Sequence, residues 1–128
     1  MNLLLDTHAL IWFLEDDARL SRAARAAISE AGNRSHVSDA TAWEAGIKHS
    51  LGKLELPVPY EALFPGRLVA EGFQVLPIRH PHLHRLIALP KHHGDPFDRM
   101  LIAQAQVEGF TVVTCDPAFA AYGIPLLW

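Results

Sequence analysis

Four acidic residues stand far apart in the chain, each where chemistry is possible: Asp6 in LLLDTHA, Glu44 in VSDATAWEAG, Asp98 in HGDPFDRMLIAQA and Asp116 in VVTCDPAF. Asp6 and Asp116 each close a short apolar run that reads as a buried strand. Glu44 and Asp98 each lie near the start of a helical pattern. An α/β sheet would bring all four to one edge. Carboxylates gathered this way repel one another and are costly to desolvate. A divalent cation that favours hard oxygen ligands, magnesium or manganese, relieves both problems. The pattern points to metal-dependent phosphoester chemistry.

Each acid also has a plainer reading. Asp6 suits the N-cap of a following helix. Glu44 lies in early helical turns, where negative charge favours the helix dipole. Asp95-Pro96-Phe97-Asp98 reads as a helix start, with Asp95 capping, Pro96 in the first turn and Asp98 at the third position. Asp116 precedes Pro117 as a turn aspartate would. Thr7, Ser38, Asp95 and Thr114 are expected to support the acids by hydrogen bonding. Lys91, His92, His93 and Arg99 are the candidates for phosphate contact, with Lys48, His49 and Lys53 extending that rim.

Other chemistries lack their motifs. His80, His82 and His84 raise the question of zinc, but there is no HExxH, no paired CxxC and only one cysteine. No GxGxxG, Walker A or GxSxG sequence is present, so dinucleotide binding, NTPase activity and a serine hydrolase elbow have no support. The first strand ends Asp6-Thr7-His8 rather than Asp-x-Asp, against an aspartyl-phosphate phosphatase. Cys115 reads as a small buried residue at a strand end, and one cysteine allows no internal disulfide.

The elements that must position these residues alternate. Strands are expected at Asn2–Leu5, His36–Ser38, Phe73–Ile78, Thr111–Cys115 and Ile124–Leu127. Helices are expected at His8–Leu14, Ser21–Ala31, Asp39–Ser50, Tyr60–Glu71 with a break at Pro65-Gly66, His80–Leu89, Phe97–Glu108 and Pro117–Tyr122. In the second helix Ala23, Ala24, Ala27, Ile28 and Ala31 share an apolar face. Leu10, Ile11, Trp12, Phe13 and Leu14 crowd the first helix, and part of that surface is expected to stay exposed for a partner. Apolar strands alternating with helices define an α/β fold, a parallel sheet of four to five strands covered on both faces. Ligands in such folds bind beyond the carboxyl ends of the strands, where Asp6 and Asp116 fall.

Size and charge agree. The 128 residues suffice for one domain, residues 1–128, and half are hydrophobic. A net charge of −3 argues against broad coating of nucleic acid but leaves room for a local basic rim. No run approaches the roughly 18 apolar residues of a membrane span, and Asp6 and His8 interrupt the apolar N-terminus, which lacks a basic leader. The protein is expected to be soluble and cytoplasmic, with no membrane partner.

The stretches LLLDTHALIWFL, VSDATAWEAGIKHSLGKLEL, HHGDPFDRMLIAQAQ and VVTCDPAFAAYGIPLLW, in that order, resemble a PIN-domain ribonuclease of the VapC-like toxin type found in bacterial toxin–antitoxin pairs. The resemblance covers nearly the whole chain. It implies a magnesium- or manganese-dependent endoribonuclease in which Asp6, Glu44, Asp98 and Asp116 form the acidic quartet, with Asp6 and Asp98 as direct metal ligands, Asp116 completing the shell or binding a second ion, and Glu44 positioning the water or ligating through one. It also implies a small antitoxin partner and a homodimer. The alternatives are a metal-dependent phosphohydrolase of small phosphoesters, or a PIN-like domain that binds RNA or protein without cleaving.

Overall fold

The computed structural model describes residues 1–128. Strand β1 (Asn2–Leu5) is buried from Leu3 onward and runs through the centre of a five-stranded sheet. The chain then forms α1 (Thr7–Leu14), α2 (Arg22–Ser29), β2 (Arg34–Ser38) and α3 (Asp39–Ser50). Two short helical turns, α4 (Tyr60–Ala62) and α5 (Leu68–Ala70), lead to β3 (Gln74–Leu76). Helices α6 (His80–Ala88) and α7 (Pro96–Glu108) precede β4 (Thr111–Val113). A 3-10 turn (Pro117–Tyr122) and β5 (Leu126–Leu127) complete the order.

All four strand pairings are parallel, in the order β3-β2-β1-β4-β5. Leu3 sits opposite Ser35 on one side and Thr111 on the other. Side chains alternate across a strand, so β1 feeds two cores. Leu3 and Leu5 pack with Leu10, Ala24, Leu68 and Val113 on one face, and Leu4 packs with Met100, Ile102, Val112 and Phe119 on the other. From β1 the chain steps to β2 and β3, then crosses back to β4 on the far side of β1. That reversal opens a crevice at the carboxyl ends of β1 and β4.

Several elements differ from expectation, each for a local reason. The Tyr60–Glu71 helix is interrupted: Phe64, before Pro65, adopts an extended φ/ψ of −108/109. A residue preceding proline is driven out of the helical region by the ring. Strand β3 stops at Leu76, before Pro77, whose missing N–H cannot extend a ladder. The α2 face is narrower than its alanines imply, since Ala24 is buried while Ala23 and Ala31 are exposed. Cys115 is exposed, because β4 ends at Val113 and the chain has left the sheet by that point.

The crowded first helix hides its bulk within the molecule. None of Leu10 to Leu14 is exposed. Trp12 stands edge-on to Trp128 at 5.9 Å, lies under the Arg19 guanidinium and stacks with His8, while Phe13 meets Phe73 edge-on. Leu10 and Ile11 are buried, while Trp12, Phe13 and Leu14 stay half-buried and keep part of their surface open to solvent. No helix of the molecule is long and apolar enough to cross a membrane.

Candidate active site

At the crevice the chain builds a cavity of about 160 Å³ lined by Asp6, Thr7, His8, Glu44, Lys48, Asp95, Asp98 and Asp116. No apolar side chain lines it. The four separated acids thus meet in one place, and they arrive from four different elements.

Each acid is held by its own local structure. Asp6 caps α1: its Oδ1 accepts from the Ala9 N–H at 2.8 Å, and its Oδ2 accepts from the Thr114 hydroxyl at 2.5 Å. Glu44 is buried on α3, taking the Thr7 hydroxyl on Oε1 at 2.5 Å and the Lys48 ammonium on Oε2 at 2.9 Å. Asp95 caps α7, accepting from the Phe97 and Asp98 N–H groups at 2.9 Å each. That cap directs Asp98 into the cavity. Asp116 caps the 3-10 turn through the Ala118 N–H at 2.9 Å, and its own N–H donates to Thr114 Oγ1 at 3.0 Å. Thr114 therefore ties together the acids that follow β1 and β4.

The electrostatics follow from the crowding. Burial pushes the Asp6 carboxyl above its usual range, against the pull of the Thr114 and Ala9 hydrogen bonds, and Asp116 adds to the rise. Burial raises Asp98 to about 6, helped by repulsion from Asp95, Asp116 and Glu44. Lys48 is held above its usual value by its bond to Glu44, with Asp95 and Asp98 contributing. Carboxyls raised by burial, and further by one another's charge, mark a site that draws a cation or a proton.

The donor set fits a hard divalent ion, being carboxylate oxygens with hydroxyls behind them. Yet no three of the molecule's His, Cys, Asp or Glu side chains close on one point as arranged. Asp6 and Glu44 are each oriented by a threonine hydroxyl. An ion would have to draw the carboxylates inward.

The basic residues fall out differently from expectation. Arg99 does not face the cavity. Its guanidinium donates to the carbonyls of Pro90 at 2.8 Å and Leu89 at 3.4 Å, and to the Tyr122 hydroxyl at 3.1 Å, so it braces the loop before α7. Lys91 and His92 are exposed but do not line the cavity. His93 approaches Asp98 Oδ2 at 3.4 Å through Nε2, and its Nδ1 lies 2.7 Å from the Tyr122 hydroxyl. The lysine in the cavity is Lys48, four residues after Glu44. Ser38 serves elsewhere: it caps α3 through Ala40 and donates to Gln104 at 2.6 Å, across the core. His8, which lines the cavity, was overlooked in the sequence, although its place two residues after a strand-ending aspartate was the available signal.

The fold and site together define a parallel α/β domain with a carboxylate cavity at the carboxyl edge of its sheet. The PIN domain family model matches residues 3–125, and the chain belongs to that family. Its fold is similar to that of VapBC2 from Rickettsia felis bound to a promoter DNA fragment, with a TM-score of 0.69, 12% identity, and coverage of 98% of this chain and 97% of that one. It is similar to FitAcB from Neisseria gonorrhoeae, with a TM-score of 0.65, 20% identity and coverage of 97% and 95%. A toxin-antitoxin complex from Klebsiella pneumoniae gives 0.63, 21% identity and coverage of 92% and 90%. No curated protein matches the sequence.

Proposed function

We propose that the protein is a divalent-metal-dependent endoribonuclease and the toxin of a toxin–antitoxin pair. The observation that carries the nuclease reading is the convergence of Asp6, Glu44, Asp98 and Asp116 on a cavity with no apolar lining. Membership of the PIN family supports it. The toxin role is supported by fold likeness to the toxin-antitoxin complex from Klebsiella pneumoniae. A small antitoxin and a homodimeric assembly go with that role, and RNA is the proposed substrate.

When bound, magnesium or manganese lowers the pKa of a coordinated water and offsets charge developing on the phosphate. Asp6, Asp98 and Asp116 are proposed to hold it. Asp6 is fixed for this by the Ala9 N–H and the Thr114 hydroxyl. Glu44, oriented by Thr7, would direct the attacking water. Lys48 would balance the acids against an incoming phosphate, since its ammonium already bridges toward the cavity. His93, held by Tyr122, would orient Asp98.

The test is Asp6→Asn, which removes a charge and almost no volume. The variant should keep its fold, read by circular dichroism, while cleavage of RNA in magnesium falls to background. Full activity of Asp6→Asn would refute the assignment. A small chromogenic phosphoester assayed in parallel separates the nuclease from a general phosphohydrolase.

A further inference from the structure

We propose that Trp43 and Phe97 form a stacking platform for an unpaired nucleobase of the strand whose phosphate enters the acidic cavity. The inference rests on the nuclease reading above and names the part of the substrate it leaves unassigned. Trp43 is 62% exposed, a large apolar ring left in water. It immediately precedes Glu44 on α3, and Phe97 immediately precedes Asp98 on α7. The two rings meet edge-on, with centroids 5.2 Å apart and planes at 85°. The pair therefore joins the two helices that carry acids, beside the cavity rather than inside it. Packing against Phe97 steadies the indole, so little side-chain freedom remains to be lost on binding.

The neighbouring chemistry selects the occupant. Single-stranded RNA is recognised by bases splayed out and stacked on aromatic rings, with the backbone handled separately. Every base has a π-face, so stacking grips a strand without demanding one sequence. An aromatic ring next to a charged, cation-seeking cavity matches the two halves of a nucleotide. Lys48 and His8 line that same cavity, and the Lys48 ammonium supplies positive charge toward a phosphate. Further along α3, Ile47 and Leu51 are also exposed, at 39% and 62%. They continue the helix away from Glu44, toward its C-terminal end at Leu51. A protein partner on α3 would use all three residues, whereas a base beside the cavity needs Trp43 alone.

The experiment uses the full chain carrying Asp6→Asn, in magnesium, with a single-stranded oligoribonucleotide and versions of it made abasic at successive positions. The fluorescence difference between this protein and its Trp43→Phe derivative isolates Trp43 from Trp12 and Trp128. Binding should quench that signal. Trp43→Ala should weaken binding roughly 5- to 150-fold, the range for loss of one stacked base. Trp43→Phe should retain most of the affinity and serves as the readout if the alanine variant does not fold. One abasic position should reproduce the loss, and combining it with Trp43→Ala should cost little more. Unchanged affinity in Trp43→Ala, or quenching that is the same at every abasic position, overturns the platform. So does a change of oligomeric mass in Trp43→Ala that Ile47→Ala and Leu51→Ala share, which would make the stripe a protein interface. Cleavage by the unsubstituted protein is scored separately. Quenching without cleavage removes the nuclease and keeps the platform; cleavage indifferent to Trp43 does the reverse.

Discussion

At the scale of single residues, capping by Asp6 and Asp116 and their meeting at one cavity are a single arrangement. Asp6 caps α1 with one oxygen and presents the other toward Thr114 and the cavity. Asp95 and Asp116 are caps as well, and both line the same space. Sequence exposed the four acids because strand ends and helix starts are local patterns. It did not expose Thr114 as the common tie of Asp6 and Asp116, which only pairing of β1 with β4 creates. Nor did it reveal that Arg99 is occupied, since its acceptors are loop carbonyls that no spacing rule marks. Thr114→Val tests the tie. It removes a buried hydroxyl serving two partners and should cost about 1–3 kcal/mol in urea unfolding. The same hydroxyl pulls the Asp6 carboxyl down. Without it that carboxyl rises further, so manganese binding by calorimetry should weaken most on the acid side of neutrality.

At the scale of elements, α3 shows how tightly the frame is set. The Tyr60 hydroxyl donates to the Ala42 carbonyl at 2.6 Å and lies across Gly46. A Cβ on Gly46 would stand 3.1 Å from that oxygen and 3.2 Å from the ring. Alanine improves helix propensity by about 1 kcal/mol over glycine, but the anchored ring cannot withdraw without losing its bond. Gly46→Ala should therefore destabilise by about 1–2 kcal/mol, an overpacking cost. In a Tyr60→Ala background the same change should stabilise. Thermal melts of the four proteins in this cycle decide it, and destabilisation in both backgrounds would show that something other than Tyr60 crowds Gly46. The limits of α3 were legible from Ser38, Asp39 and Gly52, whereas Tyr60 packing on it was not, because eighteen residues separate the hydroxyl from its acceptor. The interrupted α4–α5 segment shows the opposite limit: Pro65 announced a break, but not that Phe64 would swing to extended geometry.

At the scale of the whole molecule, the cavity couples folding to protons and cations. Unfolded, Asp6 and Asp98 release their protons near 3.8; folded, both are raised, Asp98 to about 6. The fold then binds more protons than the unfolded chain across that window, so the stability they contribute is present at low pH and lost as pH rises through about 6. A divalent cation held as proposed would compete for the same oxygens and restore what the protons supplied. In chelator the melting temperature should fall between about pH 4 and 6.5 on this account. In magnesium or manganese the fall should be offset above pH 6, by about 2.7 kcal/mol at 100 times the dissociation constant. Equal melting curves with and without cation at neutral pH would refute the coupling. The sheet order that makes it possible was only half legible. Five apolar runs implied a parallel sheet, but placing β1 between β2 and β4 depends on which crossovers fit, a global choice that local pattern does not contain.

The crowding of carboxylates at the carboxyl edge carries a cost in evolution. Asp98 lies among Asp95, Asp116 and Glu44, and each repels it. Asp98→Asn removes that repulsion and keeps the side chain's size, so it should raise the melting point of cation-free protein by about 4 °C for each kcal/mol relieved, while cleavage disappears. A screen that rewards yield or heat resistance alone would enrich such substitutions and return well-behaved, inert protein. Keeping the acids demands continuous selection on activity, and where a host gains nothing from the activity, the most accessible single mutations lead toward a silent and sturdier chain.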